Sequence, residues 1–192
     1  SIDDMVYHTQ SVARGNQHSL IMADMPFMTY ATPEQTLQNA AKLMQAGAEL
    51  VKLEGGEWLN ESVKRLSDCG IPSCVHLGLT PQSVHKFGGY KVQGRSPEAA
   101  EQLLREAMAA QNAGAAMLVL ECVPSSVGKT VTEKVDIPVI GIGAGPDTDG
   151  QVLVLHDMLG LSPGKPAKFV KNFLYENGGS IQAAISAYHH AV

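Results

Sequence analysis

Four times along this chain a helix-length amphipathic segment stops at a short break and gives way to an uninterrupted apolar run. The breaks are Ala46-Gly47-Ala48, Gly70-Ile71-Pro72, Ala113-Gly114-Ala115 and Asp136-Ile137-Pro138. Gly or Pro at such a point ends a helix and feeds the chain into an extended segment. The apolar runs are continuous, not alternating, as strands covered on both faces require. They fall at residues 20–25, 50–54, 73–77, 116–123, 139–142 and 152–156. Helices are expected at 2–14, 32–45 (Thr32 as cap, Pro33 in the first turn), 57–68, 96–112, 125–134, 165–176 and 180–191. This alternation defines an α/β fold with a parallel sheet. Six strands suit an open doubly wound sheet, whereas a closed (β/α)8 barrel needs two more βα units. Patterning alone leaves both open.

Composition narrows the function classes. The 192 residues are 44% hydrophobic and 17% charged, which suits a single globular domain spanning 1–192. A net charge of −5, with Lys and Arg scattered singly, offers no basic stripe for nucleic acid. The apolar runs fall well short of the roughly 20 residues that span a bilayer, so no membrane partner is expected. The opening Ser1-Ile-Asp-Asp is not the start of a signal peptide, and Cys69, Cys74 and Cys122 are too few for a disulfide framework. A cytoplasmic protein with reduced thiols is the expectation.

The chemistry is written at the ends of the apolar runs. Asp24, Lys52 with Glu54, His76, Glu121, and His156 with Asp157 each close one, and in parallel α/β folds the carboxyl ends of strands form the active face. Lys52 and Glu54, two apart, share a face of their strand. Asp24 and Glu54 supply hard oxygen donors that suit Mg²⁺ better than Zn²⁺; the alternative is a buried Lys52–Glu54 ion pair that only ties strands together. Glu121, inside Leu118-Val-Leu-Glu121-Cys122-Val, lies in an apolar setting that disfavours a charge and suits a general base; equally, it could bond a helix N-terminus. His76 reads as a structural imidazole or as part of the same rim. Cys122 should pack toward the covering helices and not act as a nucleophile. Gly141-Ile-Gly143-Ala-Gly145 resembles a phosphate loop weakly; close backbone approach to a small ligand or a neighbouring loop explains it better. Residues 90–95, in the long connection after the third run, form the best candidate for a functional loop.

Six stretches taken together resemble one family. They are Met22-Ala-Asp24-Met-Pro26-Phe27-Met-Thr-Tyr30-Ala-Thr-Pro33-Glu34, Val51-Lys52-Leu-Glu54-Gly-Gly-Glu57-Trp58, His76-Leu-Gly78-Leu-Thr80-Pro81-Gln82-Ser83, Phe87-Gly-Gly-Tyr90-Lys91-Val-Gln93-Gly94-Arg95, Leu120-Glu121-Cys122-Val-Pro124 and Ile140-Gly-Ile-Gly143-Ala-Gly145. The set is similar to the ketopantoate hydroxymethyltransferases. That resemblance implies a TIM (β/α)8 barrel and transfer of a hydroxymethyl group from 5,10-methylenetetrahydrofolate to 3-methyl-2-oxobutanoate, giving 2-dehydropantoate in pantothenate biosynthesis. It implies Mg²⁺ or a similar divalent ion and a cytoplasmic homo-oligomer, typically a decamer. It assigns Asp24 and Glu54 to the metal, Asp24, Lys52 and His76 to substrate, and Glu121 to the base. The family's Gly-Asp-Ser motif on its second strand has no counterpart in these residues, so about the first two βα units are expected to be absent from the chain. Two rivals share part of the pattern. One is a metal-enolate barrel of the phosphoenolpyruvate mutase or isocitrate lyase kind, and the other is an inactive truncated paralogue.

Overall fold

The computed structural model describes all residues from Ser1 to Val192. In chain order the elements are α1 (Ile2–Gly15), β1 (Met22–Asp24), α2 (Pro33–Gln45), β2 (Leu50–Glu54), α3 (Asn60–Asp68), β3 (Ser73–Gly78), α4 (Val84–Phe87), α5 (Pro97–Ala113), β4 (Met117–Glu121), α6 (Ser125–Lys134), β5 (Val139–Ile142), β6 (Gly150–Gln151), α7 (Leu155–Met158), α8 (Phe173–Glu176) and α9 (Ile181–Ala191). Single 3-10 turns at Glu57–Leu59 and Pro81–Ser83 follow β2 and β3. The helix starts are set locally. Thr32, Ser96 and Ser180 each accept a hydrogen bond from the backbone N–H three residues on, and Pro33 and Pro97 stand in the first turns of α2 and α5. No helix is long and apolar enough to cross a membrane.

All six strands are parallel and lie side by side in chain order, β1-β2-β3-β4-β5-β6. A doubly wound sheet reverses direction at a switch point and puts helices on both faces. Here one core of 25 residues joins a single sheet face to the helices. Val51, Leu53, Val75, Leu77, Leu118, Leu120 and Val139 meet Leu43 of α2, Val63 and Leu66 of α3, Leu103 and Ala107 of α5, and Val131 of α6. The order and the one-sided helical layer are those of a (β/α) barrel. The opposite face carries a thin apolar floor of Leu50, Cys74, Val119 and Ile142, with Met22, Met117 and Ile140 partly buried beside it. Above that floor stand the ionisable residues.

Two expectations fail near the C-terminal end. Residues 152–156 do not form a strand: β6 ends at Gln151, and Leu155 begins α7. The chain of β5 turns away at Gly143 (φ +63), and Val152 N–H to Gly141 carbonyl is the last bond of that pairing, so the next residues have no ladder to join. His156 is therefore exposed on α7, not at a strand end. The helix expected at 165–176 shrinks to Phe173–Glu176. Residues 161–169 are exposed throughout, so no packing supports a helix there, and Asn172 caps the true start by accepting from the Tyr175 N–H. These segments gather a satellite core of Met158, Leu159, Phe173 and Ala184, and Tyr188 of α9 donates its hydroxyl to the Gln151 carbonyl.

Candidate active site

Strand register brings the sequence candidates together. In the parallel ladder Asp24 lies opposite Lys52, Glu54 opposite His76, and Glu121 opposite Gly78. The period of two puts Asp24, Lys52, Glu54, His76 and Glu121 on the same side, away from the helices. The Lys52 ammonium nitrogen lies 3.2 Å from Asp24 Oδ2, 3.6 Å from Glu54 Oε1 and 3.4 Å from His76 Nδ1. The His76 ring also lies 3.7 Å (Nδ1) from Glu54 Oε1 and 3.3 Å (Nε2) from Glu121 Oε2. All five residues thus form one chain of charges across four strands. The Lys52, Glu54 and His76 side chains are at most 10% exposed, Glu121 is 13%, and Asp24, at the open end, is 51%. His156 and Asp157 do not join the cluster.

The electrostatics follow from this crowding. Burial pushes the Glu54 carboxyl upward, but the His76 ring, the Gln82 backbone N–H and the Lys52 ammonium outweigh it and hold it below the usual carboxylate range. Burial pulls His76 downward, but Glu121 and Glu54 prevail, and its imidazole is held above its ordinary range. His76 Nε2, though only 3.3 Å from Glu121, is not aligned with it and makes no hydrogen bond. Ion-pair distance to Glu121 remains, while the buried Nε2 is left free to donate to a ligand. Glu121 does not occupy the apolar setting its sequence neighbours suggest. It is the last residue of β4, where its carboxylate clears the apolar run and meets His76.

The neighbouring loops are fixed around this rim. Cys122 has left-handed backbone (φ +48); its N–H donates to the Ile142 carbonyl, and its carbonyl accepts from Gln93 N–H at 2.9 Å, anchoring the 90–95 loop beside Glu121. Burial, with Glu121 next to it, lifts the Cys122 thiol to about 11, and burial lifts Cys74 to about 12, which leaves both protonated; Cys74 packs in the apolar floor and Cys122 is partly buried outside the core clusters. Of the glycine loop, Gly143 lies against the Phe169 ring and Gly145 (φ +89) against Ser125, so close approach to a neighbouring loop accounts for them. A cavity of about 450 Å³ opens beside the ends of β2 and β3, lined by Trp58, His76, Lys86, Gln93 and Glu106 among others. A second, of about 430 Å³, lies between Gly143–Gly150 and the C-terminal helices; its walls hold no carboxylate or imidazole.

Two residues outside the strand-end candidates, Gln82 and Tyr30, are wired into the cluster. Gln82 donates its backbone N–H to Glu54 Oε2 (2.9 Å) and its amide N–H to the Met25 carbonyl (3.0 Å), and it accepts from the Tyr30 hydroxyl at 2.6 Å. These bonds cross 28, 57 and 52 residues, and no local pattern signals them.

Asp24 Oδ2 and Glu54 Oε1 both lie within ion-pair reach of one ammonium on the same sheet face. No three His, Cys, Asp or Glu side chains converge closely enough to hold a metal by themselves. Two hard oxygen donors nonetheless fit Mg²⁺, which is commonly held by one or two carboxylates with the other positions left to substrate and water. The ion pair and the metal-site reading do not exclude each other, because Lys52 balances the same two carboxylates that would face a cation.

A one-sided parallel barrel sheet with paired acids, a lysine and a buried histidine at its carboxyl rim defines an enzyme of the (β/α)-barrel class. Comparison with known proteins gives the family. Residues 1–192 match the profile of the ketopantoate hydroxymethyltransferases over their whole length. A 3-methyl-2-oxobutanoate hydroxymethyltransferase of Shewanella halifaxensis is 60% identical over 98% of this chain, and one of Stutzerimonas stutzeri is 62% identical over 100%. The chain spans 71% and 72% of those relatives. It belongs to the ketopantoate hydroxymethyltransferase family, a family of transferases. Solved structures of similar fold include a putative phosphonomutase from Burkholderia cenocepacia (TM-score 0.57, 16% identity, 73% of this chain and 62% of that one) and an oxaloacetate acetylhydrolase bound to 3,3-difluorooxalacetate (TM-score 0.57, 13% identity, 100% and 77%). At such identities they establish the barrel fold and nothing finer.

Proposed function

We propose that the cluster catalyses hydroxymethyl transfer from 5,10-methylenetetrahydrofolate to 3-methyl-2-oxobutanoate, giving 2-dehydropantoate through an enolate. The observation that carries this is the pairing, on one sheet face, of a carboxylate at the strand end (Glu121) with a buried imidazole that has an uncommitted N–H (His76) beside two further carboxylates and an ammonium. Glu121 takes the proton from C3 of the keto acid. His76 Nε2 donates to a substrate oxygen, and Lys52 holds the substrate's negative oxygens by charge. Asp24 and Glu54 would hold a Mg²⁺ ion, which when bound supplies the positive charge that favours an enolate. The enolate carbon bonds to the folate methylene carbon as that carbon's bond to one folate nitrogen breaks; water then displaces the second nitrogen, which leaves the hydroxymethyl group on C3 and releases tetrahydrofolate, whose two nitrogens take up the proton from Glu121 and one from water. The same reading makes the protein a cytoplasmic homo-oligomer.

The test separates the base from the rest. With 3-methyl-2-oxobutanoate in D2O and no folate, the intact protein should exchange the C3 proton, followed by NMR. Glu121→Gln should slow that exchange by roughly 100-fold or more while the keto acid still binds. Unchanged exchange in this variant would remove Glu121 from the role.

A further inference from the structure

Gln82 stands in the 3-10 turn Pro81–Ser83 just beyond β3, and every polar group described for it ends on the rim of the site. Its backbone N–H holds Glu54 Oε2, which leaves Oε1 as the oxygen that faces Lys52 and His76. Its amide N–H holds the carbonyl of Met25, the residue after Asp24, and the Met25 N–H in turn donates to the Lys52 carbonyl. Its amide oxygen accepts from Tyr30, whose hydroxyl also reaches the Glu54 carbonyl at 3.4 Å. Tyr30 is itself buried and stacked on Trp58 with centroids 6.0 Å apart. Residue 82 therefore ties the end of β1 to the end of β2 from above: its side chain holds the Met25 carbonyl and the Tyr30 hydroxyl, and its backbone N–H holds the Glu54 carboxylate. Asp24 needs such a tie, because β1 is three residues long and Asp24 is its last residue.

We propose that the Gln82 side chain is a positioning group: by holding Met25 and Tyr30 it fixes the height of the strand end that bears Asp24 and seats the turn whose backbone N–H holds Glu54, so that the two carboxylates keep the spacing at which they take one divalent cation. This rests on the metal reading of Asp24 and Glu54 given above. An amide suits the task because it donates to a carbonyl and accepts from a phenol at once. Leucine keeps the shape and loses both bonds. Tyr30 acts through Gln82 and through its own contact with the Glu54 backbone carbonyl.

The experiment is calorimetric titration of the intact protein with Mg²⁺ alone, beside thermal unfolding of the metal-free protein. Gln82→Leu should raise the Mg²⁺ dissociation constant roughly tenfold and Tyr30→Phe about threefold, as expected for two and one lost hydrogen bonds. The effects of the double variant should be less than additive, because either change removes the Tyr30–Gln82 bond. A residue that merely supports the fold would lower the melting temperature and leave the affinity of the folded protein unchanged, and that result overturns the proposal. Glu54→Gln is the reference. If it abolishes Mg²⁺ binding while Gln82→Leu changes nothing, the positioning role fails and the metal site stands. If Glu54→Gln itself leaves binding unchanged, the metal reading and the proposal fall together. Should Gln82→Leu not fold, Tyr30→Phe decides, and unchanged affinity there is equally fatal.

Discussion

Replacing Lys52 by methionine removes one positive charge and almost no volume, so it isolates what the ammonium contributes. In the folded protein that nitrogen balances two carboxylates, at 3.2 Å (Asp24) and 3.6 Å (Glu54). At an effective dielectric of about 20 the Glu54 pair alone is attractive by about 5 kcal/mol. Desolvating the ammonium costs several kcal/mol in the other direction, and the attraction to half-exposed Asp24 is largely screened by solvent. The variant therefore reads chiefly the cost of leaving Glu54 buried with its main cation gone, about 3 kcal/mol. For a chain of this length that corresponds to a fall in Tm of roughly 6–12 °C at neutral pH without metal. A divalent ion should then stabilise Lys52→Met more than the parent, since it replaces the lost charge beside the same carboxylates. Differential scanning calorimetry with and without Mg²⁺ gives both numbers. A metal-free variant that melts within about 2 °C of the parent, or one that gains no more from Mg²⁺ than the parent does, would refute the reasoning.

Two further perturbations follow from the same geometry. The depressed Glu54 stabilises the protein above the ordinary carboxylate range, and this contribution is lost as pH falls through its lowered value; the raised His76 stabilises below its ordinary 6.5 and loses its contribution as pH rises through its elevated value. The cluster's share of stability should thus be flat between the two ranges and fall on both sides, and His76→Asn should remove the alkaline limb of a Tm-against-pH profile and also weaken the acid limb, because the His76 ring is the largest influence holding Glu54 down. Gly78→Ala puts a Cβ onto the Glu121 carbonyl oxygen and 2.9 Å from Val123 Cγ1 at a residue with φ +85. It should cost about 2–4 kcal/mol in denaturant unfolding and slow C3 exchange through displacement of Glu121. Normal exchange in a destabilised Gly78→Ala would show that the end of β4 tolerates the shift.

What could be read from the sequence was whatever depends on neighbours along the chain. The continuous apolar runs at 50–54 and 139–142 appear as β2 and β5 with those bounds, and 125–134 as α6, because a buried strand and an amphipathic helix are specified locally. The run at 152–156 looked no different, yet it has no ladder partner, since the turn of β5 at Gly143 ends the pairing. The open-sheet and barrel alternatives likewise differ only in which strands sit side by side. The same division holds within the site. The acids, lysine and histidine were visible because strand ends in a parallel fold converge whatever the details. The misaligned His76 Nε2 and the hold of Gln82 on Glu54 were not, because they depend on the height of one strand relative to the next. A residue-type pattern fixes the face a side chain points to, and only the register decides what it can reach; in this cluster a shift of one residue in β1 would carry Asp24 from Lys52 to the helical side of the sheet. The tie from Gln82 to Met25 lies where such a slip would begin.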